Sequence, residues 1–155
     1  VLDYGHNVAG YISVLSSVEK MGATRLVGVI GVPGDRDDNI IREVGKIAGQ
    51  TFDHIIIKED RDTRGGKIGE VAQLLEEGVV SAMNSREHID IMYDEIEAVK
   101  LAIANAKPGD LIVVFYEELD PMLKLIENVE SLKLSQDNSI SKLKTAPNKF
   151  SIPTE

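Results

Sequence analysis

Short apolar runs rich in β-branched residues alternate with longer amphipathic runs along most of the chain. The short runs predict five strands, namely Val1–Leu2, Arg25–Ile30, His54–Lys58, Ile89–Met92 and Leu111–Phe115. The second of these runs is almost continuously apolar, which is typical of a strand covered on both faces of a sheet. The longer runs carry apolar residues at helical spacing. They predict five helices, namely Asn7 to about Met21, Asp38–Gln50, Ile68–Val80, Asp94–Ala106 and Leu119 to about Leu134.

The order strand, helix, strand, helix predicts the class of fold. Repeated strand–helix units form parallel sheets whose strands are joined by right-handed crossovers. Local signals at the helix ends agree with this order, because Asn7 and Asp94 are favourable N-cap residues and Gly22 stands where a helix should end. We therefore predict an α/β fold with a Rossmann-like, open, mostly parallel sheet and helices on both faces.

Domain organisation follows from where this pattern begins and fades. A chain of 155 residues is long enough for one domain with a sizeable core. The first strand is only a stub, so we interpret residues 1–134 as one domain and as a fragment of a longer protein. From residue 135 the pattern gives way to Ser, Asn, Lys and Pro, which predicts a flexible tail over residues 135–155.

Composition excludes several classes of function. The formal net charge of −9 disfavours binding to nucleic acid, because neutralising phosphates requires a basic surface. This charge suits a cationic partner, although acidity that only maintains solubility explains it equally well. Cysteine is absent, which excludes a thiol nucleophile and agrees with a cytoplasmic location. No apolar run reaches the about 20 residues needed to cross a bilayer, so no membrane partner is predicted.

Polar loops follow four of the predicted strands. They are Asp3–Asn7, Gly31–Asp38, Glu59–Gly66 and Tyr116–Asp120. The carboxyl ends of parallel strands meet at one edge of a sheet, which is where open α/β sheets bind their ligands. We therefore expect these four loops to converge in space and to form the functional site.

The loop Gly31–Asp38 permits two interpretations. It matches neither the dinucleotide-binding nor the P-loop glycine pattern, so its glycines are explained by a tight turn. Alternatively, the helix N-terminus that follows it favours an anion. Asp35, Asp37 and Asp38 would repel a bare phosphate there, so Arg36 or a divalent cation would have to offset them.

The loop Glu59–Gly66 carries charges of both signs. One interpretation is an ordinary solvated loop. The other is an amino-acid site, in which carboxylates bind a guanidinium as a planar fork and arginines bind a carboxylate. Of the three histidines, only His6 falls at the predicted functional edge, since His54 and His88 lie at the other ends of their strands.

Four segments resemble the C-terminal domain of the Mur ligase family. They are Asp3-Tyr4-Gly5-His6-Asn7, Gly31–Asp38, Lys58–Gly66 with Gly69-Glu70, and Lys107–Phe115. Val8 and Gly5 depart from the first motif, in which proline and alanine are common at those positions. The resemblance covers residues 1 to about 127 and leaves the tail unexplained.

The resemblance implies the third, lid-like domain of an ATP-dependent amide ligase. In such enzymes ATP phosphorylates a carboxylate and an amine attacks the acyl phosphate, while ATP and Mg²⁺ are bound mainly by a central domain that this chain does not contain. The resemblance is strongest to the members that add arginine to the aspartate side chains of a poly-Asp backbone. It implies a homo-oligomer for the full-length enzyme and no activity for this fragment alone.

The resemblance also implies roles for individual residues. Those on the nucleotide side of the cleft would be Asp3, His6, Asn7, Asp35 and Arg36. Those that bind the acceptor amino acid would be Glu59, Asp60, Arg61, Asp62, Arg64 and Glu117. Two alternatives remain at this point, the C-terminal domain of another Mur-type amino-acid ligase and a non-catalytic Rossmann-like binding module.

Overall fold

The computed structural model of the chain describes residues 1–130. Five strands alternate with four helices in its first 115 residues. The strands are β1 (Leu2–Asp3), β2 (Arg25–Ile30), β3 (His54–Ile57), β4 (Ile89–Ile91) and β5 (Asp110–Phe115). The helices are α1 (Val8–Val18), α2 (Asp38–Thr51), α3 (Glu70–Met83) and α4 (Glu95–Ala104), and a short 3₁₀ turn, Glu19–Met21, follows α1.

The strands form one sheet in the order β1-β5-β2-β3-β4, and each neighbouring pair is parallel. The last strand therefore lies between the first two, with Val114 beside both Leu2 and Val29. The predicted α/β class and parallel sheet are confirmed. All carboxyl ends point to the same edge, which places the loops after the strands together.

Helices cover both faces of the sheet. Side chains alternate between the faces along each strand, so Ile30 and Ile57 belong to the core formed with α1, α2 and α3. Val29 and Ile56 are equally buried but lie outside that core. They face the side of α4, which contacts β2, β3 and β5.

Helices α2 and α3 approach so closely that only glycine fits at their contact. A Cβ atom on Gly45 would overlap the carbonyl oxygen of Leu75, and one on Gly78 would overlap that of Arg42. Both obstacles are backbone atoms, which cannot rotate out of the way. The two helices therefore pack backbone against backbone on one face of the sheet.

The element bounds differ from the prediction by a few residues, most clearly at α3. The helix predicted to begin at Ile68 begins at Glu70, because Gly69 has a left-handed backbone with φ 95°. Asp110 joins β5 because it pairs with Arg25 of β2. Lys58 lies just beyond β3, although its N–H still donates to the carbonyl of Ile30.

The chain divides into two compact units, Val1–Leu119 and one that begins at Asp120. Residues 119–130 are helical, so the last predicted helix is present as far as the structure describes it. The tail predicted for residues 135–155 lies outside the described residues. Within residues 1–130, every helix is too short or too polar to span a membrane.

Candidate functional site

A cleft of about 160 Å³ opens at the carboxyl edge of the sheet. Loops after β1, β2, β3 and β5 all contribute to its wall, so the expected convergence of these loops is confirmed. His6 and Asp60, which are 54 positions apart in the sequence, line this same cleft. The lining residues are Tyr4, Gly5, His6, Gly31, Pro33, Lys58, Asp60, Asp62, Arg64, Tyr116 and Glu117.

The loop after β1 contributes an aromatic wall to the cleft. The rings of Tyr4 and His6 lie 5.1 Å apart, and the Tyr116 ring lies 5.8 Å from that of Tyr4. Asp3 and Asn7 shape this loop instead of lining the cleft. Asp3 Oδ1 accepts the Gly5 N–H at 2.7 Å, and Asn7 Oδ1 caps α1 by accepting the Gly10 N–H at 2.8 Å.

An ion pair joins the loops after β2 and β3. Arg64 Nη1 donates to Asp35 Oδ2 at 2.8 Å, and this hydrogen bond lowers the pKa of Asp35 below its usual value. Arg36 Nε lies 3.9 Å from the same carboxylate. This nitrogen atom is buried and has no hydrogen-bond partner among residues 1–130. The predicted nucleotide side and the predicted acceptor side are thus in direct contact.

Glu59 is held by the backbone of α3. Its carboxylate accepts the Gly69 N–H through both oxygens, at 3.0 and 2.9 Å, and the Ala72 N–H at 2.9 Å. Only 7% of the residue is exposed, and it does not line the cleft. Its carboxylate thus supplies the acceptor that the first N–H groups of a helix require. Glu59 therefore caps the start of α3 and lies outside the cleft that Asp60 and Asp62 line.

A buried ion cluster lies at the cleft and consists of Lys58, Asp60 and Glu95. Lys58 Nζ is 2.8 Å from Asp60 Oδ1 and 2.7 Å from Glu95 Oε2, and the Lys58 side chain is only 1% exposed. Glu95 also accepts the N–H of Glu117 at 2.8 Å, and Glu117 Oε2 accepts the N–H of Arg61 at 2.9 Å. This Lys58 cluster connects the loops after β3 and β5 with the start of α4.

Comparison with known proteins identifies the family. The sequence profile described as "Mur ligase, glutamate ligase domain" matches residues 1–115. The chain belongs to the Mur ligase family. A cyanophycin synthetase from Geminocystis herdmanii is 45% identical over 127 residues, which is 82% of this chain and 14% of that protein. The chain thus spans about one seventh of the length of this curated relative.

Solved Mur ligase structures share the fold. A UDP-N-acetylmuramoyl-L-alanyl-D-glutamate–2,6-diaminopimelate ligase aligns with a TM-score of 0.70 at 19% identity, over 86% of this chain and 29% of that one. A folylpolyglutamate synthase from Mycobacterium tuberculosis, solved with ADP and AMPPCP, aligns with a TM-score of 0.54 at 19% identity. The second alignment covers 72% of this chain and 25% of the other. Both neighbours support the same architecture for this Mur ligase domain.

Sequence reasoning missed several residues in and beside the Mur ligase cleft. Lys58 is predicted only as the end of a strand and the start of the motif Lys58–Gly66, and Glu95, which contacts Lys58 without lining the cleft, has no predicted role. Tyr116 was recognised only as part of a polar loop. A lysine that directly follows the apolar run Ile55–Ile57 was an available signal, because a cation there needs anionic partners once buried.

The described residues of this Mur ligase domain do not fit a Mg²⁺ ion. Magnesium prefers several oxygen ligands, usually including carboxylates. Within residues 1–130 no group of three or more His, Asp or Glu side chains is arranged to hold a metal ion. We therefore assign no metal ligand to this part of the chain.

Proposed function

We propose that this chain is the C-terminal lid domain of a cyanophycin synthetase. The full-length enzyme would be an ATP-dependent ligase that adds arginine to the aspartate side chains of a poly-Asp backbone. Identity of 45% to a cyanophycin synthetase over 127 residues supports the enzyme type. The observation that carries the choice of acceptor is a cleft lined by the carboxylates of Asp60, Asp62 and Glu117 beside the cations Lys58 and Arg64.

The proposed reaction proceeds through an acyl phosphate made from ATP. The incoming α-amine attacks the acyl carbon, an amide C–N bond forms, and phosphate leaves. An acyl phosphate is readily hydrolysed, so closure of a lid that excludes water protects it. The lid also orients the amine, which lowers the entropic part of the barrier. ATP and Mg²⁺ would be bound mainly by the central domain, with His6, Asp35 and Arg36 bordering the nucleotide.

Arginine as acceptor suits the charges of the cleft. A guanidinium forms strong, paired hydrogen bonds with carboxylates, and Asp60 and Glu117 provide them. The carboxylate of the same amino acid requires a cation. Arg61 would provide it, because it lies between the lining residues Asp60 and Asp62 and its guanidinium has no ion pair in the described part of the chain.

The test is Asp60→Ala in the full-length enzyme. Removing one carboxylate of a desolvated charge pair should cost about 2–5 kcal/mol, or less if the cleft stays hydrated. The KM for arginine should therefore rise much more than the KM for ATP in a steady-state ligation assay. Asp90→Ala is the matched control, because Asp90 pairs with His54 and does not line the cleft. Equal effects of Asp60→Ala on both KM values would contradict the assignment.

A second candidate is a Mur-type ligase that uses another amino acid. A UDP-N-acetylmuramoyl-L-alanyl-D-glutamate–2,6-diaminopimelate ligase from Syntrophomonas wolfei, 30% identical over 114 residues, favours it. Competition among arginine, lysine and a β-Asp-Arg dipeptide as acceptors would separate the two, since the proposed enzyme should prefer arginine. We also propose that the full-length enzyme is cytoplasmic and forms a homo-oligomer. Light scattering of the purified full-length protein would test its oligomeric state.

A further inference from the structure

The Lys58 cluster contains one cation and two carboxylates in a nearly dry environment. The side chain of Asp60 is 13% exposed and that of Glu95 is 10% exposed. Burying charges is costly unless they are paired with good geometry. A buried cation shared by two carboxylates therefore fixes the position of both, and its removal leaves two like charges close together.

The stem of Lys58 is also fixed by its surroundings. It crosses Gly31 of the loop after β2 so closely that a Cβ atom on that glycine would lie 2.5 Å from Lys58 Cε. The hydroxyl of Tyr11 donates to the carbonyl of the same glycine at 2.8 Å. The stem of Lys58 is thus packed against the loop after β2, and its ammonium group lies at the cleft between Asp60 and Glu95.

The two carboxylates proposed to bind the acceptor are each held through one oxygen. Asp60 Oδ1 accepts from Lys58 Nζ, and Glu117 Oε2 accepts from the Arg61 N–H. Among residues 1–130 no hydrogen bond reaches Asp60 Oδ2 or Glu117 Oε1. Both residues line the cleft, so each retains one oxygen for the several N–H donors of a guanidinium.

We propose that Lys58 is a positioning residue for the acceptor amino acid. It holds the carboxylate of Asp60 directly, and it holds the backbone of Glu117 through Glu95. This inference rests on the proposed function, in which those two carboxylates bind a guanidinium. Lys58 itself does not touch the substrate. Its effect is to set the distance between two carboxylates that come from separate loops.

The test uses the full-length enzyme with arginine or citrulline as the acceptor. Citrulline has an uncharged ureido group in place of the guanidinium, so the ratio of kcat/KM for the two acceptors measures recognition of the charge. Lys58→Met should reduce the preference for arginine by about ten- to a hundredfold. The KM for ATP should stay within about twofold of wild type, since the substitution removes no proposed contact with ATP. General damage to the fold would lower both acceptor activities together and leave their ratio unchanged.

Two further variants make the outcome decisive. Lys100→Met is the matched control, because Lys100 forms an exposed pair with Glu97 on the same helix and should leave the ratio unchanged. Lys58→Met combined with Glu95→Gln removes the repulsion between the two buried carboxylates while Asp60 still lacks its cation. This double variant should show the same loss of preference for arginine over citrulline, even if the single Lys58→Met variant fails to fold. An unchanged ratio in the double variant would overturn the role of Lys58, whereas a wild-type enzyme that ligates no arginine would overturn the proposed function itself.

Discussion

Asp110 and Arg25 form an ion pair at the amino ends of β5 and β2. Arg25 Nε donates to Asp110 Oδ1 at 3.0 Å, and Asp110 Oδ2 also accepts the Lys107 N–H at 2.8 Å. The hydrogen bond from Arg25 lowers the pKa of Asp110 from 3.8 to about 2. The folded state therefore favours the charged carboxylate more than the unfolded state does.

The stabilisation from Asp110 should depend on pH. A carboxyl with a lowered pKa stabilises the fold fully above its unfolded pKa of about 4, and the effect is lost as pH falls towards about 2. Asp110→Asn should therefore lower the free energy of unfolding near neutral pH, and its difference from wild type should shrink through that window. Urea unfolding at a series of pH values measures it, with the exposed Glu97→Gln as a control. A difference that stays constant down to about pH 2 would contradict the pairing.

Individual residues were predictable where their role is local. The N-cap function of Asn7 and Asp94 follows from residue type and spacing, and both caps are present. The partners of Lys58 were not predictable, because Glu95 is 37 positions away and reaches it only through the packing of α4 on the sheet. The function of Glu59 was hidden for a similar reason. From the sequence, a carboxylate in a charged loop is expected to be solvated. In the fold, the N–H groups of Gly69 and Ala72 bind that of Glu59.

At the scale of elements, α3 begins where Glu59 supplies its cap. Glu59→Ala would leave the N–H groups of Gly69 and Ala72 without their acceptor, at a cost of about 1–3 kcal/mol. Urea unfolding of the purified chain measures the loss. Glu70→Ala is the control, since Glu70 lies in the same turn and, within residues 1–130, its side chain accepts a hydrogen bond only from the exposed Lys67 N–H. If full-length Glu59→Ala enzyme instead has normal stability but a raised KM for arginine, Glu59 would be assigned to the proposed acceptor site.

The contact of α2 with α3 makes a second prediction for an element. Gly78→Ala gains helix propensity of about 1 kcal/mol, but the new methyl group overlaps the carbonyl of Arg42. Overpacking against a backbone that cannot yield costs about 1–3 kcal/mol or more, so the net effect should be destabilising. Gly49→Ala is the graded control, because its Cβ would lie 2.9 Å from the carbonyl of Val79 and needs a smaller shift. Thermal unfolding should rank Gly78→Ala below Gly49→Ala, and the reverse order would contradict the packing.

The parallel sheet was predictable as a whole because its signal is repeated in every strand–helix unit. The order of the strands was not, since β5 inserts between β1 and β2 through contacts more than 80 positions apart. The first residue of α3 was missed for a local reason. Gly69 adopts a left-handed conformation that no apolar periodicity reveals.

For the whole molecule we predict that the purified chain does not hydrolyse ATP. Its sequence contains no P-loop, which is the glycine-rich segment that cradles the phosphates of ATP in many nucleotide-binding enzymes. A phosphate-release assay with the chain alone should give no signal above that of buffer, while the full-length enzyme is the positive control. Turnover by the chain alone would contradict the assignment of catalysis to another domain.

The wall of the cleft is gathered from positions 4 to 117, so it exists only while β1, β2, β3 and β5 are all in place. A ligand that fits there binds only the folded sheet and must leave before any of these four strands can separate. Its effect on amide hydrogen exchange should therefore extend to backbone groups far from the bound atoms, including those at the opposite ends of the strands. Amide exchange rates measured across the domain would thus report whether a ligand occupies the cleft at the carboxyl edge of the sheet.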